Sequence, residues 1–231
     1  MPSSSLPGVS TDTLVIRTPD KPNGKLVIAL HGHESSGAEI AQTASMIPSW
    51  DALGAAGFTV VFPDLGGNAW ANDTALAELA EVHRLMVEKF ELDPQAYCYG
   101  ISMGGGTTLT AIAKKVIPIR AAYLAHPSCD MRPRWAHPTR FPTMQKAYAG
   151  VEADMLDHNP MSQSASAFAG VPLLFTASAD DTTTPRAVHT DAFRSLLGSV
   201  TAHEVIDVTG EHMDPSHFRA QDALEFFVGH P

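Results

Sequence analysis

The stretch Ala96-Tyr-Cys-Tyr-Gly100-Ile-Ser102-Met-Gly104-Gly-Gly holds a serine flanked at two-residue spacing by glycines. An apolar run leads into it and a helical stripe leads out, so the spacing predicts a sharp strand-to-helix turn. A serine at such a turn occupies strained backbone, and the glycines relieve crowding where neighbouring Cβ atoms would meet. The turn would lift the Ser102 hydroxyl above a sheet edge. The Met103 N–H, at the start of the helix, would then face charge developing on an attacked carbonyl oxygen. The chemistry this suggests is nucleophilic attack, with Gly-rich capping of a helix as the plainer alternative. A hydroxyl is a poor nucleophile at neutral pH, so it needs a general base, and the base needs a carboxylate to fix its tautomer. The carboxylates available after the turn are Asp130, Asp180 and Asp181, and the imidazoles are His212 and His217.

Positioning these groups requires a regular scaffold. Strand-like runs are expected at Leu14–Arg17, Lys25–Leu30, Thr59–Pro63, Ala96–Gly100, Ala121–Ala125, Val171–Ala177 and Ala202–Val208. Several are nearly continuous in apolar residues, as in parallel strands covered on both faces. Four stripes of helical period alternate with them: Leu76 to Phe90, Leu109 to Val116, Ala192 to Leu197 and Ala220 to Val228. This alternation predicts a three-layer α/β domain with right-handed crossovers. Residues 127–170, rich in proline, are too long for a plain connection and read as a small lid-like insertion within one domain spanning 1–231.

Upstream, Lys25-Leu-Val-Ile-Ala-Leu-His31-Gly32-His33 ends a strand in His-Gly, and Val60-Val-Phe-Pro-Asp64 ends the next. With the serine turn, these make the chain resemble an α/β-hydrolase over roughly residues 14–229. The resemblance implies a mostly parallel sheet of about eight strands with helices on both faces. It implies that the His33 backbone N–H is the second oxyanion donor beside Met103, and that the acid and then the histidine follow the serine in chain order. The family's Asp-x-x-(Val/Thr)-Pro falls on Asp181, Thr184 and Pro185; Asp180 and Asp130 remain as alternatives. His212, 31 residues past Asp181, stands where the family keeps its catalytic histidine. His217 is the second candidate, expected in the first turn of the final helix. His31 is expected to order its loop, and His83 to be a satisfied core residue. The remaining histidines fall to surface or loop positions.

Two regions could shape a substrate pocket. Gly66-Gly-Asn-Ala-Trp70 precedes a helix capped near Asp73, and Trp70 could line the pocket or pack the loop. The insertion carries Arg132, Arg134, Arg140 and Lys146 with Trp135, Phe141, Met144 and Tyr148, and residues 131–149 hold no acidic residue. Trp135, Arg132 and Arg134 could offer apolar surface and a cation to a polar or anionic ester, or the charges could merely balance an acidic body.

The chain's 231 residues are enough for one large domain, and its net charge of −10 argues against nucleic acid, which asks for a basic stripe. A hydrophobic share of 44% is ordinary for a globular enzyme, and no apolar run reaches the ~18 residues needed to span a bilayer. Met1 to Thr11 lacks Lys, Arg and any apolar stretch, so no secretory signal is expected and the default compartment is cytoplasmic. The two cysteines are expected as free thiols. His212 and His217 with Asp214 could suggest metal ligands, but no third histidine or His-Glu-x-x-His supports a site. The expectation is therefore a serine esterase needing no metal or cofactor and taking a small ester or other acyl substrate. A peptidase, amidase or thioesterase is the alternative, with a perhydrolase or a non-catalytic binding module further off. Oligomeric state is unreadable.

Overall fold

The computed structural model describes residues 14–139 and 141–231, so the readings of Met1–Thr11 and of Arg140 lie outside the described residues. Seven strands form one sheet in the order β1-β3-β2-β4-β5-β6-β7. They are β1 (Val15–Arg17), β2 (Leu26–Leu30), β3 (Thr59–Phe62), β4 (Ala96–Ile101), β5 (Ile119–Ala125), β6 (Leu173–Ser178) and β7 (His203–Val208). Only β1 runs antiparallel, pairing Val15 with Phe62 and Arg17 with Val60 at one edge. The count is seven among the described residues, against the eight that the resemblance implied. Every β-rich run of the sequence is already used in these seven.

Alternation along each parallel strand divides the core in two, because successive side chains point to opposite faces. Ile28, Cys98, Leu124 and Phe175 face one layer. It is completed by Leu79 and Met86 of α3 (Asp73–Phe90), Leu109 of α4 (Met103–Ala113) and Phe193 of α8 (Thr190–Leu197). Val27, Tyr99, Tyr123 and Leu174 face the other, against Trp50 of α2 (Ile47–Ala55) and Phe227 of α9 (Ala220–Gly229). Trp50 packs edge-on to Tyr99 at 4.8 Å between centroids, and its Nε1 donates at 2.7 Å to the carbonyl of Ile40, the last residue of α1 (Gly37–Ile40). That bond satisfies the polar end of a fully buried indole.

Three short helices make up most of the insertion: α5 (Arg132–Trp135), α6 (Pro142–Ala147) and α7 (Glu152–His158); two 3-10 turns, Pro160–Ser162 and Ala165–Phe168, follow. Met144, Tyr148, Met155 and Phe168 are fully or almost fully buried in the first layer's core. The segment is sewn to α3. His158 Nε2 donates to Asp73 Oδ1 at 2.9 Å, and Asn72 Nδ2 to the Ala147 carbonyl at 3.0 Å. Asn72, rather than Asp73, caps α3, its side chain accepting from the Ala75 N–H. Both cysteines are buried free thiols, and no described helix is long and apolar enough to cross a membrane.

Candidate active site

The chemically interesting residues gather at the carboxyl ends of the parallel strands, where the crossing loops converge. β4 delivers Ser102 with φ 51° and ψ −110°, a left-handed conformation rarely held by a residue with a side chain. Its N–H donates to the Ala125 carbonyl at 3.0 Å, and its own carbonyl accepts from the Ser128 N–H at 2.9 Å. Close packing explains the flanking glycines. A Cβ on Gly100 would lie 2.7 Å from Gly105 Cα and 2.7 Å from Thr108 Oγ1, and one on Gly104 would collide with the Leu30 carbonyl oxygen.

Ser102 Oγ lies 3.0 Å from His212 Nε2, and His212 Nδ1 lies 2.8 Å from Asp181 Oδ2. An ionised carboxylate has no proton to give, so Nδ1 must carry the hydrogen and Nε2 is left to accept from the serine. Asp181 is buried. Its Oδ1 accepts from the N–H groups of Thr183 and Thr184, each at 2.8 Å, and Oδ2 accepts from the Thr184 hydroxyl at 2.6 Å. Burial alone would raise the Asp181 pKa, but the bonds from His212 and Thr184 outweigh it and hold the carboxyl well below the usual range.

The rival acids and base are placed elsewhere. Asp180 is exposed and accepts from the Gly210 N–H at 3.0 Å. Asp130 is buried within the insertion's own network, gripped by the Arg132 guanidinium and by Asn159 Nδ2 at 3.0 Å. His217 sits in a 3-10 turn, Pro215–His217, that precedes α9 rather than opening it, and its ring is fully buried.

On the other side of Ser102, a Cβ on Gly32 would lie 3.5 Å from the Ser102 Cβ, so the chain leaving β2 runs directly past the serine. Met103 is the first residue of α4, where an N–H has no partner within the helix. The His31 ring is used structurally: its Nε2 lies 2.9 Å from the Asp64 carbonyl oxygen, tying the ends of β2 and β3. His33 Nε2 lies 2.8 Å from Thr143 Oγ1 of α6, and its ring packs on Trp70 at 5.1 Å. Burial lowers the His33 pKa; Glu34 opposes this and Arg134 reinforces it. Trp70 is buried, and its Nε1 donates to the same Thr143 oxygen at 3.1 Å. Arg134 is buried too. Its guanidinium lies over the rings of Trp70 and Phe141, 5.7 and 5.4 Å from their centroids, and donates to the Thr183 carbonyl at 3.1 Å. Arg132 instead projects outward, forked onto Asp130, and Trp135 is partly buried against the core.

Three histidines expected at surface or loop positions prove buried: His126, His158 and His189. Each has a polar or aromatic partner distant in sequence, which a single sequence does not display. His126 follows β5, and its ring packs edge-on to both His212 and His217 at 4.4 Å. His189 Nδ1 accepts from the Asp130 N–H at 3.2 Å, and burial, aided by Arg134, lowers its pKa to about 3. His83 is buried as expected, its Nε2 2.7 Å from the Pro94 carbonyl oxygen. Among the described residues, no group of three or more His, Cys, Asp or Glu side chains could hold a metal ion.

A cavity of about 700 Å³ lined by Arg17, Lys21, Trp50, Asp51, Lys89 and Phe90 lies at the opposite, amino end of the parallel strands. It shares no residue with the serine site. Beside the turn, Met103, Gly104, Trp70 and His31 line a space of only about 10 Å³.

No protein-family model and no curated protein matches the chain. Solved structures do. A fluorophosphonate-binding serine hydrolase of Staphylococcus aureus superposes with TM-score 0.73 at 17% identity, over 94% of this chain and 91% of its own. A thermophilic esterase of Thermogutta terrifontis gives 0.65 at 16%, over 94% and 87%. A puromycin-hydrolyzing peptidase of Mycobacterium tuberculosis gives 0.70 at 16% over 94% of this chain, which spans only 36% of the peptidase's length. The chain therefore has the α/β-hydrolase fold.

Proposed function

We propose that the chain is a serine hydrolase that cleaves carboxylic esters of small molecules through an acyl-enzyme intermediate. One observation carries the reading: the unbroken row Ser102 Oγ–His212–Asp181, with spacings of 3.0 and 2.8 Å. Ser102 attacks the ester carbonyl while His212 Nε2 takes its proton. Asp181 holds the imidazole in the required tautomer and stabilises the imidazolium that forms. The Met103 N–H at the start of α4 and the His33 N–H on the chain that leaves β2 past the serine are the proposed donors to the charge on the carbonyl oxygen. His212 then protonates the departing alcohol, and water, activated by the same base, releases the acyl group. No metal or organic cofactor takes part in these steps.

Peptides, amides and thioesters could enter the same cycle, since they differ chiefly in how the leaving group is protonated. The ester reading is preferred because esterases and serine hydrolases match this chain over nearly their whole length. The peptidase match covers only about a third of that protein. The direct test is labelling by a fluorophosphonate probe, with hydrolysis of p-nitrophenyl esters of increasing chain length beside peptide and thioester substrates. Wild type should label. Ser102→Ala should not, and should lose at least about a thousandfold in kcat/KM. Equal labelling of the two proteins would sink the proposal.

A further inference from the structure

We propose that Thr184 is a positioning residue that sets the basicity of His212 by competing with it for one oxygen of Asp181. The inference rests on the reading of Ser102, His212 and Asp181 as a catalytic row.

Asp181 Oδ2 receives two hydrogens: that of His212 Nδ1 at 2.8 Å and that of the Thr184 hydroxyl at 2.6 Å. The Thr184 oxygen is itself 3.2 Å from His212 Nδ1, so the three atoms form a triangle around a single acceptor. A hydroxyl has one proton. The other acceptor within reach, the His126 carbonyl, is 3.4 Å away, and the charged oxygen at 2.6 Å takes the proton. Each donor drawn to Oδ2 reduces the charge left for the other. The hydroxyl therefore weakens the pull of Asp181 on the imidazolium that forms when His212 takes a proton. A valine, equal to threonine in shape, would keep the packing and both backbone bonds to Oδ1 but leave Oδ2 to His212 alone.

Among the described residues no other group is so placed. His126 from the end of β5 packs against the His212 ring, and His217 lies behind His126. His189, with Arg134 and Asp130 behind it, faces the acid from the insertion side. Glu211 holds Thr182, and Asp180 holds Gly210. Among the described contacts to Asp181, Thr184 alone shares the oxygen bound by His212.

The test follows the His212 Cε1–H resonance by NMR across pH, assigned as the signal missing from His212→Gln. Beside it runs the pH profile of kcat/KM for p-nitrophenyl acetate, whose acid limb reports the free base. In Thr184→Val and Thr184→Ala, both midpoints should rise by roughly half a unit to one unit, and activity below the midpoint should fall about three- to tenfold. Thr184→Ser should keep the wild-type midpoint. A lower kcat at every pH with an unmoved midpoint in Thr184→Val and Thr184→Ala would mean the hydroxyl only fills space, and would overturn the proposal. If Ser102→Ala keeps full esterase activity, the catalytic reading fails and takes this one with it. If Ser102→Ala is inactive and the Thr184→Val midpoint stays put, only the role of Thr184 falls.

Discussion

The imidazole of His126 packs edge-on against that of His212, with ring centroids 4.4 Å apart, and at the same distance edge-on against the fully buried His217. Each ring stiffens the next. His126 Nε2 also lies 3.2 Å from the sulfur of Met213, the residue after the proposed base, whose backbone is left-handed at φ 68°. An edge-on ring and a neighbouring residue tethered to that same ring limit where the His212 ring can swing.

The buried imidazoles make stability depend on pH in a window where the carboxylates do not. Burial is the leading cause lowering the pKa of His126, His189 and His217, to about 3 for His189. In the unfolded chain these groups protonate near pH 6.5. Below that the unfolded state binds more protons than the native one, so stability is fully present above about pH 6.5 and declines as pH falls toward the folded values. Asp181 and Asp130, also lowered, contribute stability that is lost only below about pH 4. Urea midpoints should therefore fall steadily from pH 7.5 to 5, by the equivalent of about 1 kcal/mol or more. His189→Gln should flatten that slope. Midpoints constant across the range would contradict the account.

Thr143 joins the insertion to the loop after β2, since its one oxygen meets both the His33 ring and the Trp70 indole. Thr143→Val should remove both bonds at a cost of about 1 kcal/mol while leaving α6 in place. The expected result is faster hydrogen exchange in residues 141–149 and a kcat/KM lowered about three- to tenfold, with fluorophosphonate labelling retained. Unchanged exchange and kinetics would show the tie to be idle.

Strand positions were legible because a run such as Leu26–Leu30 is apolar throughout and bounded by turn residues, and Leu173–Ser178 opens on three apolar residues. The serine turn was legible for a different reason: Gly100 answers to hard contacts a few residues away, with Gly105 and Thr108. The insertion was not. Its helices α5, α6 and α7 are four, six and seven residues long, too short to display a helical period. Their order comes from distant partners, as when His158 reaches Asp73 across 85 residues. Arg134 shows the same limit. As a letter it is a surface cation, and only the folded chain puts it under Trp70, Phe141 and Thr183.

At Ser102, heat resistance and turnover pull in opposite directions. A backbone angle of φ 51° with ψ −110° costs any residue bearing a Cβ of order 1–3 kcal/mol, and the fold tolerates that cost at the residue proposed as the nucleophile. Alanine at 102 would remove the proposed nucleophile and keep the strain; glycine would remove it and release the strain. The melting temperature of Ser102→Gly should therefore exceed that of Ser102→Ala. Evolution toward a hardier scaffold would meet its simplest gain at the residue the proposed chemistry can least give up.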